Sequence, residues 1–183
     1  MARPPSRPSA IALKYFAAAA LTVSTLGACM ANDSTAKDAP LPVKSRDDAL
    51  AWARQITEHL AQSAGIQINA EPVEPFFSPC TGRNGESAPD DRFTLAYAVH
   101  SYVPNAQHND VVRKVRDVLT AEGLKISEYQ ETPATQPNST VTARHPESRY
   151  VVDVSSTAGD NRMVLGITTP CLKPPTTPTA STP

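Results

Sequence analysis

The spacing of hydrophobic positions changes along this 183-residue chain. After Ser45, apolar side chains recur every three or four residues from Ala49 to Ala64, which is typical of an amphipathic helix that ends at Gly65. Ser45 followed by Asp48 resembles a capping box in which aspartate replaces the usual glutamate. The pattern therefore predicts a first helix of about 19 residues.

Strict alternation of apolar and smaller or polar residues follows in Phe93–His100. This period of two predicts a strand with its large apolar side chains on one face. A valine and leucine stripe at helical spacing then predicts a second helix, capped by Asn105 or Asn109 and ended by Gly123.

Weaker signals complete the predicted sheet. Prolines interrupt residues 71–80, so this stretch is at best an edge strand. Four shorter β segments follow the second helix, at 124–130, 140–145, 150–155 and 162–169. This order of elements favours an α+β fold, in which two helices pack on one face of an antiparallel sheet of about five strands.

The start of the chain resembles the signal of a bacterial lipoprotein precursor. Three basic residues precede an uncharged run from Tyr15 to Ala28, which is shorter than the roughly 20 residues that cross a bilayer. Leu26-Gly27-Ala28-Cys29 then resembles a lipobox, whereas an ordinary secretory cleavage site would have a small residue in place of the leucine. The resemblance implies a diacylglyceryl thioether on Cys29, removal of residues 1–28, and anchoring at the extracytoplasmic face of the cell membrane.

Composition divides the remaining chain into three parts. Residues 29–44 are polar and read as a lipidated tether, and residues 173–183 form a tail rich in proline and threonine. Neither segment contains enough apolar surface to offset the entropy of ordering, so the tail is expected to be disordered. Residues 45–172 are predicted to form a single α+β domain.

Removal of residues 1–28 also changes the charge of the protein. It takes away three of the 17 basic residues and none of the 18 acidic ones, which leaves a formal charge of −4. Such a chain lacks the basic footprint of a nucleic-acid-binding protein. Attachment to the membrane would therefore depend on the lipid on Cys29 rather than on charge.

Two cysteines remain once Cys29 is lipidated. Cys80 and Cys171 form an even pair outside the cytoplasm, which predicts one disulfide closing a long loop. The alternative is a reactive or metal-binding pair. No CxxC motif and no nearby histidine at ligand spacing favours that alternative.

Motifs that carry chemistry are missing from the sequence. There is no GxSxG or HExxH, and no cofactor or metal is predicted. A metal site formed by His100 and His145 on neighbouring strands is a remote possibility. The carboxylates of Glu86, Asp90 and Asp91 are interpreted as solvated loop residues rather than as an acid–base pair.

One polar segment, Pro79–Asp91, contains glycines and is tied to the domain at Cys80. Polar loops on rigid frames often carry binding residues, so Arg83 and Glu86 are the candidate contact groups. The alternative is a connection between strands whose charges only keep it solvated.

Three short stretches resemble small secreted lipoproteins of high-GC actinobacteria. They are Cys-Thr-Gly-Arg-Asn-Gly-Glu from Cys80, Arg-Phe-Thr-Leu-Ala-Tyr from Arg92, and Thr-Pro-Cys-Leu ending at Leu172. The resemblance implies envelope localisation and assigns no catalytic residue. Two function classes follow: a non-catalytic binding or accessory module whose partner is unknown, or an envelope hydrolase with an unrecognised active site.

Overall fold

The structure is a computed structural model and describes residues 40–82, 84–157 and 161–176, within a compact unit that begins at Pro40. A 3-10 turn, Asn105–Gln107, precedes the second of two helices. The elements are α1 (Arg46–Ala64), β1 (Phe76–Pro79), β2 (Phe93–Tyr102), α2 (His108–Ala121), β3 (Lys125–Gln130), β4 (Thr140–Arg144), β5 (Val151–Thr157) and β6 (Arg162–Thr168).

The first helix begins and ends where the sequence predicts. The Ser45 hydroxyl accepts a hydrogen bond from the Asp48 N–H at 3.0 Å and donates one to the Asp48 carboxylate at 2.7 Å. Aspartate thus binds the cap hydroxyl, where the glutamate of a capping box would bind the cap N–H. Gly65 ends the helix in the left-handed conformation, with φ of 74°.

The predicted asparagine cap of α2 is wrong. Asn105 lies in the 3-10 turn, Asn109 is the second residue of the helix, and Gln107 before the helix makes no capping hydrogen bond. The Asn109 amide instead donates to the Thr132 carbonyl at 3.1 Å and accepts from the Ser139 hydroxyl at 2.5 Å. This asparagine therefore fixes the loop after β3 rather than the start of the helix.

Six antiparallel strands form one open sheet in the order β1-β2-β6-β5-β4-β3. The α+β prediction with helices on one face is confirmed, but the sheet has six strands rather than about five. The additional strand is β1, which occupies the edge that its prolines predict. Three strands separate β2 from β3, so α2 connects strands that do not pair with each other.

Alternation along the strands gives the sheet a covered face and an open face. On the covered face, α1 contacts β2 and β6, and α2 contacts β3, β4 and β5. Burial of these side chains removes a large apolar area from water and supplies the main driving force for folding. The buried apolar side chains of the strands are Phe93, Leu95, Tyr97, Val99, Val141, Ala143, Val152, Val154, Met163, Leu165 and Ile167.

Both ends of the domain meet at one end of the sheet. Cys80 and Cys171 form the predicted disulfide, with Cα atoms 5.7 Å apart and a sequence separation of 91. Beside it, the Lys44 N–H donates to the Lys173 carbonyl and the Lys173 N–H donates to the Pro42 carbonyl, each at 2.9 Å. The paired region therefore extends a few residues into the predicted tether and the predicted tail.

Several predictions concern residues that the structure does not describe. These residues include the predicted signal segment, Cys29, and residues 177–183 of the tail. Within the three described ranges, no helix combines the length and the apolar character that crossing a bilayer requires.

Candidate functional site

The predicted binding loop, Pro79–Asp91, folds back on itself at the disulfide end of the sheet. The Gly82 N–H donates to the Glu86 carbonyl at 2.7 Å, and the Ala88 N–H donates to the Cys80 carbonyl at 2.7 Å. These bonds satisfy the loop's own backbone groups. The loop borders a cavity of about 370 Å³.

Of the two contact residues predicted in this loop, Arg83 lies outside the described residues. Glu86 is exposed, and its carboxylate accepts the N–H of Asn84 at 2.9 Å. The same carboxylate lies so close to Gly82 that a β-carbon there would collide with it. Glu86 therefore stabilises the turn from within, and a role of the loop in binding stays a prediction.

Residues that would have formed a hydrolytic or metal site are far apart. His100 lies roughly 23 Å along β2 from Phe93, whereas Asp90 and Glu86 precede Phe93 at the other end. His145 follows β4, which is separated from β2 by β6 and β5, so the prediction of neighbouring strands is wrong. No group of three or more histidine, cysteine or acidic residues in the described part of the chain is placed to hold a metal ion.

The other two histidines have structural contacts. His59 pairs with Glu122 at 2.6 Å on the exposed surface and links α1 to the end of α2. His108 is buried at the start of α2, where its Nε2 lies 2.8 Å from the carbonyl oxygen of Val103. A carbonyl oxygen only accepts, so this nitrogen carries the hydrogen.

Charged side chains also join α2 to the end of β3. Arg113 pairs with Glu131 at 2.7 Å and with Asp110 at 2.8 Å. The pKa of Glu131 lies below its ordinary value, because the Tyr129 hydroxyl donates to it and Arg113 pairs with it. Each of these acids has a partner, so the group reads as a structural network.

A groove on the open face is a feature that the sequence did not single out. It has a volume of about 400 Å³ and runs over the middle of β2 and β6. The segment before β1 forms one side, and β5 forms the other. We call it the open-face groove; its floor is Ala96, Ala98 and Gly166, and its sides carry Glu74, Phe76 and Asp153.

The register of the sheet explains the shallow floor. Ala98 pairs with Gly166, which in turn pairs with Asp153. A β-carbon at Gly166 would lie 3.5 Å from the Asp153 carbonyl oxygen and 4.0 Å from the Ala98 Cβ, both ordinary contact distances. Gly166 also has no positive φ. Neither packing nor backbone conformation requires glycine here, and its missing side chain leaves the groove open.

Two carboxylates face this groove. Asp153 is half-buried and accepts hydrogen bonds from the hydroxyls of Thr142 at 2.9 Å and Ser155 at 3.3 Å. Glu74 is exposed. Neither carboxylate takes part in the ion pairs found among the described residues. The groove thus combines a small apolar floor with two carboxylates that form no ion pair within 4.0 Å among the described residues, although Arg144 lies diagonally opposite Asp153 on the neighbouring strand.

Two exposed aromatic side chains lie on the same side of the sheet. Phe76 is 67% exposed and Tyr102 is 66% exposed. Phe76 pairs with Ala96, six residues before Tyr102 on the adjacent strand, so the rings stand roughly 20 Å apart along β2. Phe76 lines the groove, whereas Tyr102 lies on the same face beyond it, opposite Arg162. An exposed aromatic ring beside a concave surface is typical of binding sites.

The chain matches no protein-family model, and no curated protein or solved structure is significantly similar to it. The resemblance to actinobacterial lipoproteins therefore stays a prediction.

Proposed function

We propose that this chain is a lipid-anchored protein of the cell envelope that binds a partner through the open-face groove and catalyses no reaction. The lipid on Cys29 would hold it at the extracytoplasmic face of the membrane. The observation that carries the binding role is the groove itself, with its small floor and two carboxylates that form no ion pair with any described residue. A concave surface with a few convergent polar groups is the usual form of a binding site.

The place where the described chain begins supports the same proposal. Pro40–Lys44 enter the domain beside the disulfide between Cys80 and Cys171. A lipid on Cys29 would therefore be connected to the domain at its disulfide end, whereas the groove lies over the middle of β2 and β6.

Metabolic labelling tests the anchor. Cells that produce the chain are grown with radioactive palmitate, and the wild type is compared with Cys29→Ser. The wild type should carry the label and remain in the membrane fraction, whereas the variant should carry none. A matched change in the tether, Ser34→Ala, should leave labelling intact. An unlabelled wild type with a free thiol at Cys29 would refute the anchor.

Site-specific photo-cross-linking in the same cells tests the binding role. A photoreactive aromatic amino acid replaces Phe76, an exposed ring at the side of the groove, or, as a control, Arg54 on the exposed surface of α1. The proposal predicts a discrete cross-linked product from position 76, none from position 54, and loss of the product when Gly166→Leu fills the floor. Equal products from both positions would contradict binding through the groove.

A further inference from the structure

The edges of the sheet do not favour pairing with another strand. Pro75 and Pro79 bracket the edge strand β1, and proline lacks the N–H that pairing needs. At the other edge, the register of β3 shifts between Ile126 and Glu128, next to the charged Lys125. Prolines, bulges and charges of this kind block edge-to-edge association. A partner would therefore bind on the open face rather than at an edge of the sheet.

The dimensions of the open-face groove suit one extended chain. Asp153 lies on β5, two strand spacings from β2, which sets a width of roughly 10 Å. From Phe76, at the groove, to Tyr102, which lies beyond the groove on the same face, the distance along β2 is roughly 20 Å, the length of about six extended residues. A floor of alanine and glycine lets a backbone approach closely, so the neighbouring side chains of the occupant must be small or β-branched.

The charge of the groove selects a cation. Glu74 makes no ion pair among the described residues, and each oxygen of Asp153 accepts one hydroxyl hydrogen bond while it can accept another. A lysine side chain can contact both the apolar floor and the carboxylates of the groove. Its aliphatic stem would lie over the apolar floor at Gly166, and its ammonium group would reach the carboxylate of Asp153.

We infer that the open-face groove binds an extended segment of a partner polypeptide in which a lysine lies between small or β-branched residues. This inference rests on the proposed function and names the chemistry of its partner. A free alkylamine would occupy only the middle of the groove, whereas an extended segment also reaches the exposed rings of Phe76 and Tyr102.

Peptide pools test this inference with the full chain, purified in a mild detergent and immobilised. The fluorescent peptides are about seven residues long, roughly 23 Å when extended. Their central residue is lysine, norleucine or glutamate, and the other positions are drawn from alanine, serine, threonine and valine. Norleucine keeps the aliphatic stem of lysine without its charge, so it isolates the contribution of the ammonium group.

The lysine pool should be retained roughly tenfold more than the norleucine pool, and the glutamate pool least. Asp153→Asn should reduce this preference severalfold. Gly166→Leu should abolish retention, with Gly166→Ala as a smaller change in case leucine disturbs the fold. Glu58→Gln, which removes an exposed carboxylate on α1, should change nothing. Circular dichroism verifies that each variant is folded.

Three results would overturn the inference. Equal retention of the three pools would show that the lysine is not recognised. Competition by n-butylamine at the same concentration as peptide would identify a small amine as the occupant. A dimer that dissociates on Gly166→Leu would identify a second copy. If any of these occurs while cross-linking from position 76 persists in cells, the inferred occupant is wrong and the proposed function stands. If the cross-linked product is also missing, the inference and the proposed function are both refuted.

Discussion

The two faces of the sheet differ in the size and burial of their side chains. On the covered face, large side chains such as Phe93 and Leu165 are fully buried against the helices. On the open face, alternate positions at the middle of the sheet are occupied by small residues such as Ala96, Ala98 and Gly166, and they leave a groove of about 400 Å³. One strand thus carries a packing surface and the proposed binding surface one residue apart, and changes to adjacent residues should separate stability from binding.

The largest loss of stability should come from the disulfide, which closes the end shared by both faces. Replacing Cys80 and Cys171 together with serine should lower the free energy of unfolding by about 4–5 kcal/mol in the chain-entropy model, because the disulfide closes a loop with a sequence separation of 91. Urea unfolding followed by circular dichroism measures this loss. A loss below about 1 kcal/mol would show that pairing at Lys44 and Lys173 already holds the two ends together.

A neighbouring pair on β6 compares the faces directly. Leu165→Ala on the covered face should cost about 3 kcal/mol, because it leaves a cavity beneath the helices. Val164→Ala on the open face should cost less than about 1 kcal/mol. Both values come from urea unfolding with the disulfide intact. Equal losses would mean that the open face is packed as tightly as the covered face, and the distinction between the two faces would be wrong.

Adjacent phenylalanines on β1 give a smaller contrast at the edge of the sheet. Phe77 makes an edge contact with Phe93 at 5.7 Å and lies 5.3 Å from the guanidinium of Arg46. Phe77→Ala should therefore cost about 2 kcal/mol. Phe76→Ala removes an exposed ring and should change stability by less than about 0.5 kcal/mol. The same Phe76 variant should weaken peptide binding, and no effect on binding would remove this ring from the site.

The smallest effect concerns pH, on the surface away from the groove. The pKa of Glu131 is lowered in the folded protein by the Tyr129 hydroxyl and by Arg113. Its contribution to stability is therefore present above the ordinary glutamate pKa of 4.5 and is lost as the pH falls below it. Glu131→Gln should flatten the dependence of stability on pH between about pH 5 and pH 3. If the stability of the variant falls at low pH as that of the wild type does, the contacts of Glu131 with Tyr129 and Arg113 contribute nothing to stability.

Most of the fold follows from sequence patterns with direct physical causes. The cap at Ser45, the left-handed Gly65 and the strand Phe93–His100 depend on local chemistry and on periodicity, and the structure confirms them. The disulfide follows from counting cysteines. The predicted cap of α2 is wrong because the Asn109 side chain forms hydrogen bonds with Thr132 and Ser139 instead. Only the folded chain brings these residues close to Asn109.

The groove could not be found in the same way, because it depends on strand order. Alternation puts Ala96 and Ala98 on the face opposite the large apolar residues, and the same period places Gly166. What the sequence does not state is that β6 lies between β2 and β5, which brings Gly166 between Ala98 and Asp153. Long-range pairing therefore creates a site from residues that are ordinary one at a time.

Carboxyl footprinting in intact cells reports whether a partner covers the open face where the protein works. Carbodiimide labelling of Glu74, beside the groove, is compared with that of Glu58, which is exposed on α1. In the purified chain both should react. In cells we expect Glu74 to be protected while Glu58 reacts as before, and Gly166→Leu should restore the reaction of Glu74. Equal labelling of Glu74 in cells and in the purified chain would show that no partner covers this face.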